Sequence, residues 1–110
     1  MNNKFYVIID GRDCTGLDSL LSELAIKLQF PNYFGYNLDA LQDCINDLDS
    51  IGYNSICLVL NNWSSILSGD KKNKELFYNI LSSAVRGYNI EEGEPAFSFI
   101  LSDPVAILQP

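Results

Sequence analysis

Three aspartates recur every fourth residue near the middle of the chain: Asp39, Asp43 and Asp47. That spacing places them in a row on one face of a helix. Like charges at this spacing destabilise a helix by about 0.2–0.5 kcal/mol per pair, and the segment has no lysine to offset them. Such a row can bind cationic groups of another molecule, or two of its carboxylates can act as an acid–base pair. The alternative is an acidic face that serves only solubility.

The charge balance narrows the partners that this row can serve. The 110 residues carry 14 acidic and 7 basic side chains, which gives a formal net charge of −7. This balance argues against nucleic acid and anionic membrane as partners and is compatible with a basic protein. No basic residue occurs between Lys27 and Lys71, although that interval also contains Asp49 and Asp70. Because the acidic residues of this interval have no basic residue beside them in the sequence, the interval is the candidate recognition surface.

Aromatic residues lie directly before the acidic row, in a predicted loop over residues 31–36 that starts at a proline. Tyr33 and Tyr36 beside charged residues, on a loop held by a scaffold, are typical of a protein-recognition surface. Phe34 is the aromatic residue that we expect in the core. Gly35 suggests a backbone conformation that a side chain would hinder, with an ordinary turn as the alternative.

Several kinds of chemistry are excluded by what the chain lacks. It contains no histidine, so a Ser-His-Asp or Cys-His nucleophile cannot form. It also lacks the glycine-rich motifs that bind dinucleotides or cradle phosphates. Cys14, Cys44 and Cys57 are odd in number and form no C-x-x-C pair, which favours buried free thiols over a disulfide or a zinc site. We therefore expect no catalytic residue, no cofactor and no metal.

The hydrophobic pattern also bears on location. No apolar run approaches the ~20 residues that span a bilayer. The apolar run near the N-terminus is too short to form the core of a signal peptide. We expect a cytoplasmic protein with no membrane partner.

Strand and helix patterns alternate along the chain. Apolar runs predict strands over residues 4–10, 55–60 and 96–101. Helical spacing predicts helices over residues 15–28, 37–48, 63–67 and 71–86, with a turn at 50–54 and an acidic loop at 91–95. The unbroken apolar centre of the first strand suits a strand that is covered on both faces.

The helix ends have their own signals. Thr15 is the expected cap of the first helix, with Asp18 in the capping-box position, and Gly87 is the expected end of the last. The alternation as a whole predicts an α/β fold, with a small three-stranded parallel sheet packed with about four helices. Its crossovers should be right-handed. We expect one domain over residues 1–110, of which residues 103–110 form a C-terminal tail.

The barstar family of ribonuclease inhibitors has a signature that resembles one segment of this chain, Pro31-Asn32-Tyr33-Phe34-Gly35-Tyr36-Asn37-Leu38-Asp39-Ala40-Leu41-Gln42-Asp43-Cys44. The shared run, Tyr-aromatic-Gly-x-Asn-Leu-Asp-Ala-Leu-x-Asp-Cys, is long and ungapped and is therefore more specific than a short catalytic motif. The order of elements is similar over roughly residues 4–102. The resemblance implies a parallel sheet packed with helices, in a protein that binds the active site of an extracellular-type ribonuclease and protects the cell that makes it.

The resemblance also implies a set of partner-binding residues. Asp43 matches the family's central acidic residue, which enters the nuclease active site, and Gly35 would approach the partner through its backbone. Gln42 and Asn46 match flanking positions. The implied contact residues are Tyr33, Gly35, Asn37, Leu38, Asp39, Gln42, Asp43 and Asn46.

The chain departs from the family pattern at two contact positions. The family's prototype carries a tryptophan where this chain has Gln42, and an acidic contact on the last long helix, which we align with Ser82. Glu75 lies about two turns earlier on that helix and does not take this role. We expect a monomer that inhibits a basic ribonuclease or nuclease-type toxin by phosphate mimicry. Two alternatives stay open: an immunity or regulatory protein for a different basic partner, and an enzyme that uses Asp39 and Asp43 as an acid–base pair.

Overall fold

A three-stranded parallel sheet is the centre of the fold. The computed structural model describes residues 4–48, 55–88 and 97–104. The strands are β1 (Lys4–Asp10), β2 (Ser55–Asn61) and β3 (Phe97–Ser102), hydrogen-bonded in the order β1-β2-β3. The α-helices of the described residues are α1 (Leu17–Lys27), α2 (Leu38–Ile45) and α3 (Lys71–Tyr88). The predicted α/β class and the three-stranded parallel sheet are confirmed.

One face of the sheet forms the core. Alternate residues of the strands point to this face, and they are inaccessible to solvent in β2 and at Ile9 and Phe97. Apolar residues of all three helices join the same cluster: Leu20, Leu21 and Leu24 from α1, Leu41 and Ile45 from α2, and Phe77, Leu81 and Ala84 from α3. Because fully burying a side chain of this size is worth about 1.5–3 kcal/mol, the cluster fixes the positions of the helices on the sheet.

The other face of the sheet is exposed at the two outer strands, whereas Ser55 and Cys57 of the central strand are buried on the same face. Ile8 and Ile100 point to this face, and they are 53% and 50% exposed. The expectation that β1 is covered on both faces is therefore wrong. The strand order is sequential, so crossovers of one hand place their helices on the same side of the sheet.

Residues 4–48, 55–88 and 97–104 contain three α-helices, one fewer than the predicted four. The segment predicted as a short helix over residues 63–67 forms only a 3-10 turn, Trp63–Ser65. Asn62 before it has a left-handed backbone, with φ of 54°, and Ile66 after it is extended, with ψ of 122°. Because neither residue has helical dihedrals, the turn cannot grow in either direction.

The first helix starts later than expected, and its predicted cap is wrong. Gly16, rather than Thr15, precedes the first helical residue, and Ser19, rather than Asp18, supplies the side chain that closes the first turn. The Ser19 hydroxyl accepts from Gly16 N at 3.3 Å and donates to Gly16 O at 2.9 Å. The backbone groups of the cap residue are therefore satisfied by a side chain three residues on, which lets glycine serve as the cap.

The other boundaries move by a few residues. α2 ends at Ile45, three residues before the predicted end, because Asp47 N bonds to Cys44 O and tightens the chain into a 3-10 turn. α3 continues through Gly87 to Tyr88, since glycine weakens a helix without stopping it. β2 and β3 each extend one residue past the predicted end. The predicted turn at 50–54, the acidic loop at 91–95, Ala96 and the tail from residue 105 lie outside the described residues.

Candidate functional site

The segment that carries the candidate site begins with a capped helix. Asn37 is the cap of α2, and its Oδ1 accepts from Ala40 N at 2.8 Å. The Asn37 amide also donates to Gly35 O at 3.4 Å, which ties the preceding loop to the helix start. A side-chain cap of this type is worth about 1 kcal/mol. The loop and the first turn of α2 therefore have a defined relative position.

The loop is anchored by a buried aromatic residue. Phe34 is 5% exposed, as expected for the aromatic residue assigned to the core. Its ring lies 4.9 Å from the Phe30 ring and 4.7 Å from the Tyr36 ring, measured between centroids. Tyr33, in contrast, is 80% exposed. The loop thus holds one ring in the core and presents another to solvent.

The backbone constraint in this loop falls on a different residue from the one predicted. Tyr36, with φ of 52°, has the left-handed conformation, and Gly35 does not. A Cβ added at Gly35 would lie 3.5 Å from Ala40 Cβ and 3.5 Å from Asn37 Nδ2, which are ordinary van der Waals contacts. The expectation that side chains would be hindered at Gly35 within the chain is therefore wrong. What the missing side chain leaves is an open surface next to the cap of α2.

The acidic residues of α2 face solvent. Asp39 and Asp43 are both exposed and one helical turn apart, while Leu41, Cys44 and Ile45 anchor the opposite side of the helix in the core. Within the described ranges, neither carboxylate has a cationic side chain as a salt-bridge partner. Asp47 is exposed as well, but it follows the end of α2 rather than continuing the row inside it.

The charges of this surface affect a neighbouring thiol. Burial, and after it the negative charges of Asp43 and Asp47, raise the pKa of Cys44. Burial also raises the pKa of Cys14 to about 11, with a further contribution from Glu23. All three cysteines are buried and free, which confirms the reading of them as core thiols. The raised pKa keeps Cys14 and Cys44 in the unreactive thiol form.

A groove between α2 and α3 adjoins the acidic residues. It has a volume of about 240 Å³, and its walls are formed by Leu38, Asp39 and Gln42 from α2 and Leu76, Asn79, Ile80 and Ser83 from α3. The exposed serine opposite Gln42 is Ser83, whereas Ser82 is half-buried. Ser82, which we align with the family's acidic α3 contact, is not among the residues that line the groove, because a one-residue shift turns a helical side chain by about 100°. Arg86 donates to Ser83 Oγ at 3.3 Å.

The residues predicted as contacts form one continuous stretch of loop and helix. Seven of the eight are exposed and Leu38 is half-buried; the exposed ones are Tyr33, Gly35, Asn37, Asp39, Gln42, Asp43 and Asn46. Asn46 is the C-terminal cap of α2 and directs its N–H back to Gln42 O. The α3 residues of the groove escaped prediction as candidates. Their signal was the helical spacing of Leu76, Ile80 and Ser83, which places them on one face.

The described residues offer no competing metal site. No group of three or more His, Cys, Asp or Glu side chains among them is arranged to hold a metal ion. No helix within the described ranges combines the length and apolar content needed to cross a bilayer. The site is therefore an exposed acidic surface with an adjoining groove and a neighbouring tyrosine.

Comparison with known proteins identifies the family. The family model described as Barstar (barnase inhibitor) matches residues 5–101. The chain belongs to the barstar family. The match covers all three strands and all three helices of the described structure, so the resemblance first seen in the signature segment extends across the barstar fold.

A curated relative points in the same direction. The protein named "Putative ribonuclease inhibitor YrdF", from Bacillus subtilis (strain 168), is 54% identical to this chain over 39 residues. The aligned stretch is 36% of this chain and 43% of the relative, so the alignment spans less than half of either protein.

Proposed function

We propose that this protein inhibits a basic ribonuclease by placing the Asp39 and Asp43 carboxylates in the positively charged site where the nuclease binds RNA phosphates. The observation that carries the proposal is the exposure of two neighbouring carboxylates with no cationic partner among the described residues. Arginine and lysine of a nuclease can supply charge-assisted hydrogen bonds to them. Membership of the barstar family supports the same class of partner.

The rigidity of α2 favours tight binding. Leu41 and Ile45 are inaccessible to solvent, and Asn37 caps the first turn. Two carboxylates held on such a helix lose little conformational freedom when a partner binds. Tyr33 would add flat apolar contact beside them and help to exclude water from the charged pairs. The remaining contacts in this proposal are Gly35, Asn37, Leu38, Gln42 and Asn46, with Ser83 across the groove.

Charge should govern the rate of encounter. A net charge of −7, with acidic residues exposed on one helix, attracts a cationic protein over a distance set by the ionic strength. Electrostatic steering raises the association rate constant at low salt, and this increase becomes smaller as salt is added. The dissociation rate should change less with salt, because it depends on contacts from which water has already been excluded in the complex.

A different basic partner is the second candidate. It is favoured by the groove between Gln42 and Ser83, because Gln42 is a position where the chain departs from the family's prototype. An acid–base enzyme receives little support, because Asp39 and Asp43 both lie exposed on the surface of α2.

The test is capture of the native partner followed by an RNase assay. The purified protein, immobilised, is exposed to lysate and culture medium of its own cell, and bound proteins are identified. We expect capture of a basic protein whose RNA cleavage stops when one equivalent of the inhibitor is added. Because charge steers the encounter, the association rate constant should fall by about tenfold or more when salt is raised from 20 mM to 500 mM. Capture of a basic protein without RNase activity would favour the second candidate and contradict the first.

A further inference from the structure

The groove between α2 and α3 has aliphatic walls that are open to solvent. Leu38 of α2 and Leu76 and Ile80 of α3 line it. Leu76 is 43% exposed, and Leu38 and Ile80 are half-buried. Exposed aliphatic side chains that converge on one concave surface mark a place where another molecule can bind. Because Asp39 lines the same groove, this place is continuous with the acidic surface that Asp39 and Asp43 form.

The size of the groove limits what can occupy it. Its volume is about 240 Å³. An apolar cavity of about 150 Å³ can hold a benzene molecule, so the groove has room for one side chain of the size of a phenyl ring. A whole helix, about 10 Å across, is too wide for it. The volume therefore indicates a single side chain of a partner rather than a packed helix.

The charges around the groove disfavour a cation as that occupant. Asp39 is the one acidic residue among the described residues that line the groove, and in the proposed complex its carboxylate already meets the cationic site of the nuclease. On the opposite wall, Arg86 donates to Ser83 Oγ at 3.3 Å, which places a positive charge beside the groove. An arginine or lysine in the groove would lack a carboxylate of its own and would be repelled by Arg86. The charge pattern therefore favours an uncharged side chain.

The polar residues of the groove suit the backbone of a loop. Gln42, Asn79 and Ser83 line the groove and are exposed. Each of the two amides offers both donors and an acceptor, and the serine hydroxyl offers one of each. Such groups can bond to the peptide N–H and C=O groups that flank a side chain inserted from a loop. The polar residues thus match the peptide groups on either side of an apolar anchor.

From the aliphatic walls, the volume and the charges, we infer that a surface loop of the nuclease inserts one large apolar side chain, of the size of a phenyl ring, between α2 and α3. The peptide groups of the loop bond to the amides of Gln42 and Asn79. This inference rests on the proposed function, because the partner is the same nuclease. The inserted side chain keeps water away from the Asp39 carboxylate, and Leu76 becomes a residue that determines specificity.

A small probe tests the groove without the nuclease. N-acetyl-phenylalaninamide carries a phenyl ring between two peptide groups, and N-acetyl-argininamide carries a cation in the same place. In a titration followed by methyl NMR, the phenylalanine compound should shift the methyl signals of Leu38, Leu76 and Ile80 to saturation in the millimolar range. The arginine compound should leave them unchanged. Absence of saturation with the phenylalanine compound, or equal shifts with both compounds, would overturn the inference.

Affinity for the captured nuclease tests the same groove in the complex. Leu76→Asp should weaken binding by about tenfold or more, because the added carboxylate would lose its water against an apolar side chain. A cation in the groove would instead make this variant bind more tightly. The matched control, Ser22→Asp, adds the same charge at an exposed position of α1 and should change the dissociation constant by less than about twofold.

The inference and the proposed function fail in different ways. If Leu76→Asp binds as tightly as Ser22→Asp or more tightly, while Asp43→Ala still loses inhibition, the apolar anchor is overturned and the proposed function is not. A captured partner without RNase activity would contradict the proposed function and the inference with it. If Leu76→Asp fails to fold, as a lost thermal transition would show, the probe titration of the wild type decides.

Discussion

Aspartate carboxylates are paired within the chain in one region of the molecule and lack a cationic partner among the described residues in another. At the carboxyl edge of the sheet, defined here by Asp10, Gly11, Arg12 and Asn62, the Asp10 carboxylate accepts from Arg12 Nη2 at 2.7 Å and from Asn62 Nδ2 at 2.9 Å. On the acidic surface, Asp39 and Asp43 have no cationic partner within the described ranges.

The pairing of Asp10 lowers the pKa of its carboxyl group. The side chain of Arg12, and then its backbone N–H and the Asn62 amide, hold the pKa of Asp10 well below its ordinary 3.8. The Asp10 carboxylate is thus satisfied by the protein's own groups. The Asp39 and Asp43 carboxylates on α2 have no cationic partner within the described ranges, and in the proposed function they bind the nuclease. This difference separates a structural aspartate from a proposed recognition aspartate.

The largest expected effect is that of Asp43→Ala on binding. Truncating one member of a buried charge pair costs about 2–5 kcal/mol, which weakens binding roughly 30- to 5,000-fold. The measurement is the inhibition constant against the captured nuclease. Stability should stay equal or rise slightly, because the repulsion with Asp39 is removed.

The control for this substitution is Asp18→Ala. Asp18 is exposed in the first turn of α1 and makes no hydrogen bond described for the structure. Asp70 is a poorer control, because its carboxylate accepts from Asn73 N and Nδ2 at the start of α3. Equal weakening of binding by Asp43→Ala and Asp18→Ala would mean that net charge alone governs binding, and it would contradict a specific role for Asp43 in recognition.

Gly11→Ala should affect folding rather than binding. A Cβ at this position would collide with the Asn62 carbonyl oxygen and lie 2.7 Å from Ile66 Cγ1. Because backbone must move to accommodate it, we expect a loss of about 3 kcal/mol in the free energy of unfolding. Urea denaturation measures it, and a loss below about 1 kcal/mol would show that this edge is less tightly packed than described.

Gly35→Ala should affect binding rather than folding, in contrast to Gly11→Ala. The added Cβ meets only ordinary contacts within the chain, so the free energy of unfolding should change by less than about 0.5 kcal/mol. A partner seated on the open surface would meet an extra methyl group, with an expected 5- to 150-fold loss of affinity from about 1–3 kcal/mol of overpacking. Unchanged affinity would place Gly35 outside the interface.

Asp10→Asn should produce the smallest effect, seen as a change in pH dependence. Below the ordinary carboxyl pKa of 3.8, the unfolded chain binds a proton at Asp10 while the folded chain does not. Acid therefore removes stability that is present above this pKa. Between pH 5 and pH 2 the wild type should lose more Tm than Asp10→Asn, and parallel curves would contradict the assignment of Asp10 as a paired carboxylate.

The extent of sequence-based prediction differs between fold and site. The strands were predictable within one residue because their apolar runs are bounded by polar residues and turns. The helix ends were not, because Ser19 and Asn46 act through side-chain and backbone bonds that several sequences could make. The open face of β1 was missed because a run of apolar residues does not reveal on which side the helices pack.

The site shows the same division. Asp39, Asp43 and the preceding loop were predictable, since they are close in sequence and the two aspartates share one face of α2, whereas Asp47 lies beyond the end of that helix. The groove was not predictable, because it brings together Gln42 and Ser83, which are far apart in the sequence, and because it depends on how α2 and α3 pack. The left-handed conformation at Tyr36 was also unexpected, because a neighbouring glycine is the residue that usually adopts it.

The most direct test of the central claim is a map of amide chemical-shift changes when the captured nuclease is added to the labelled protein. We expect the largest chemical-shift changes at residues 33–46 and at Ser83. The amide shifts of Asp10, Gly11, Arg12 and Asn62 should stay unchanged. Large changes at the carboxyl edge, with residues 33–46 unaffected, would show that the partner binds elsewhere and would contradict the account.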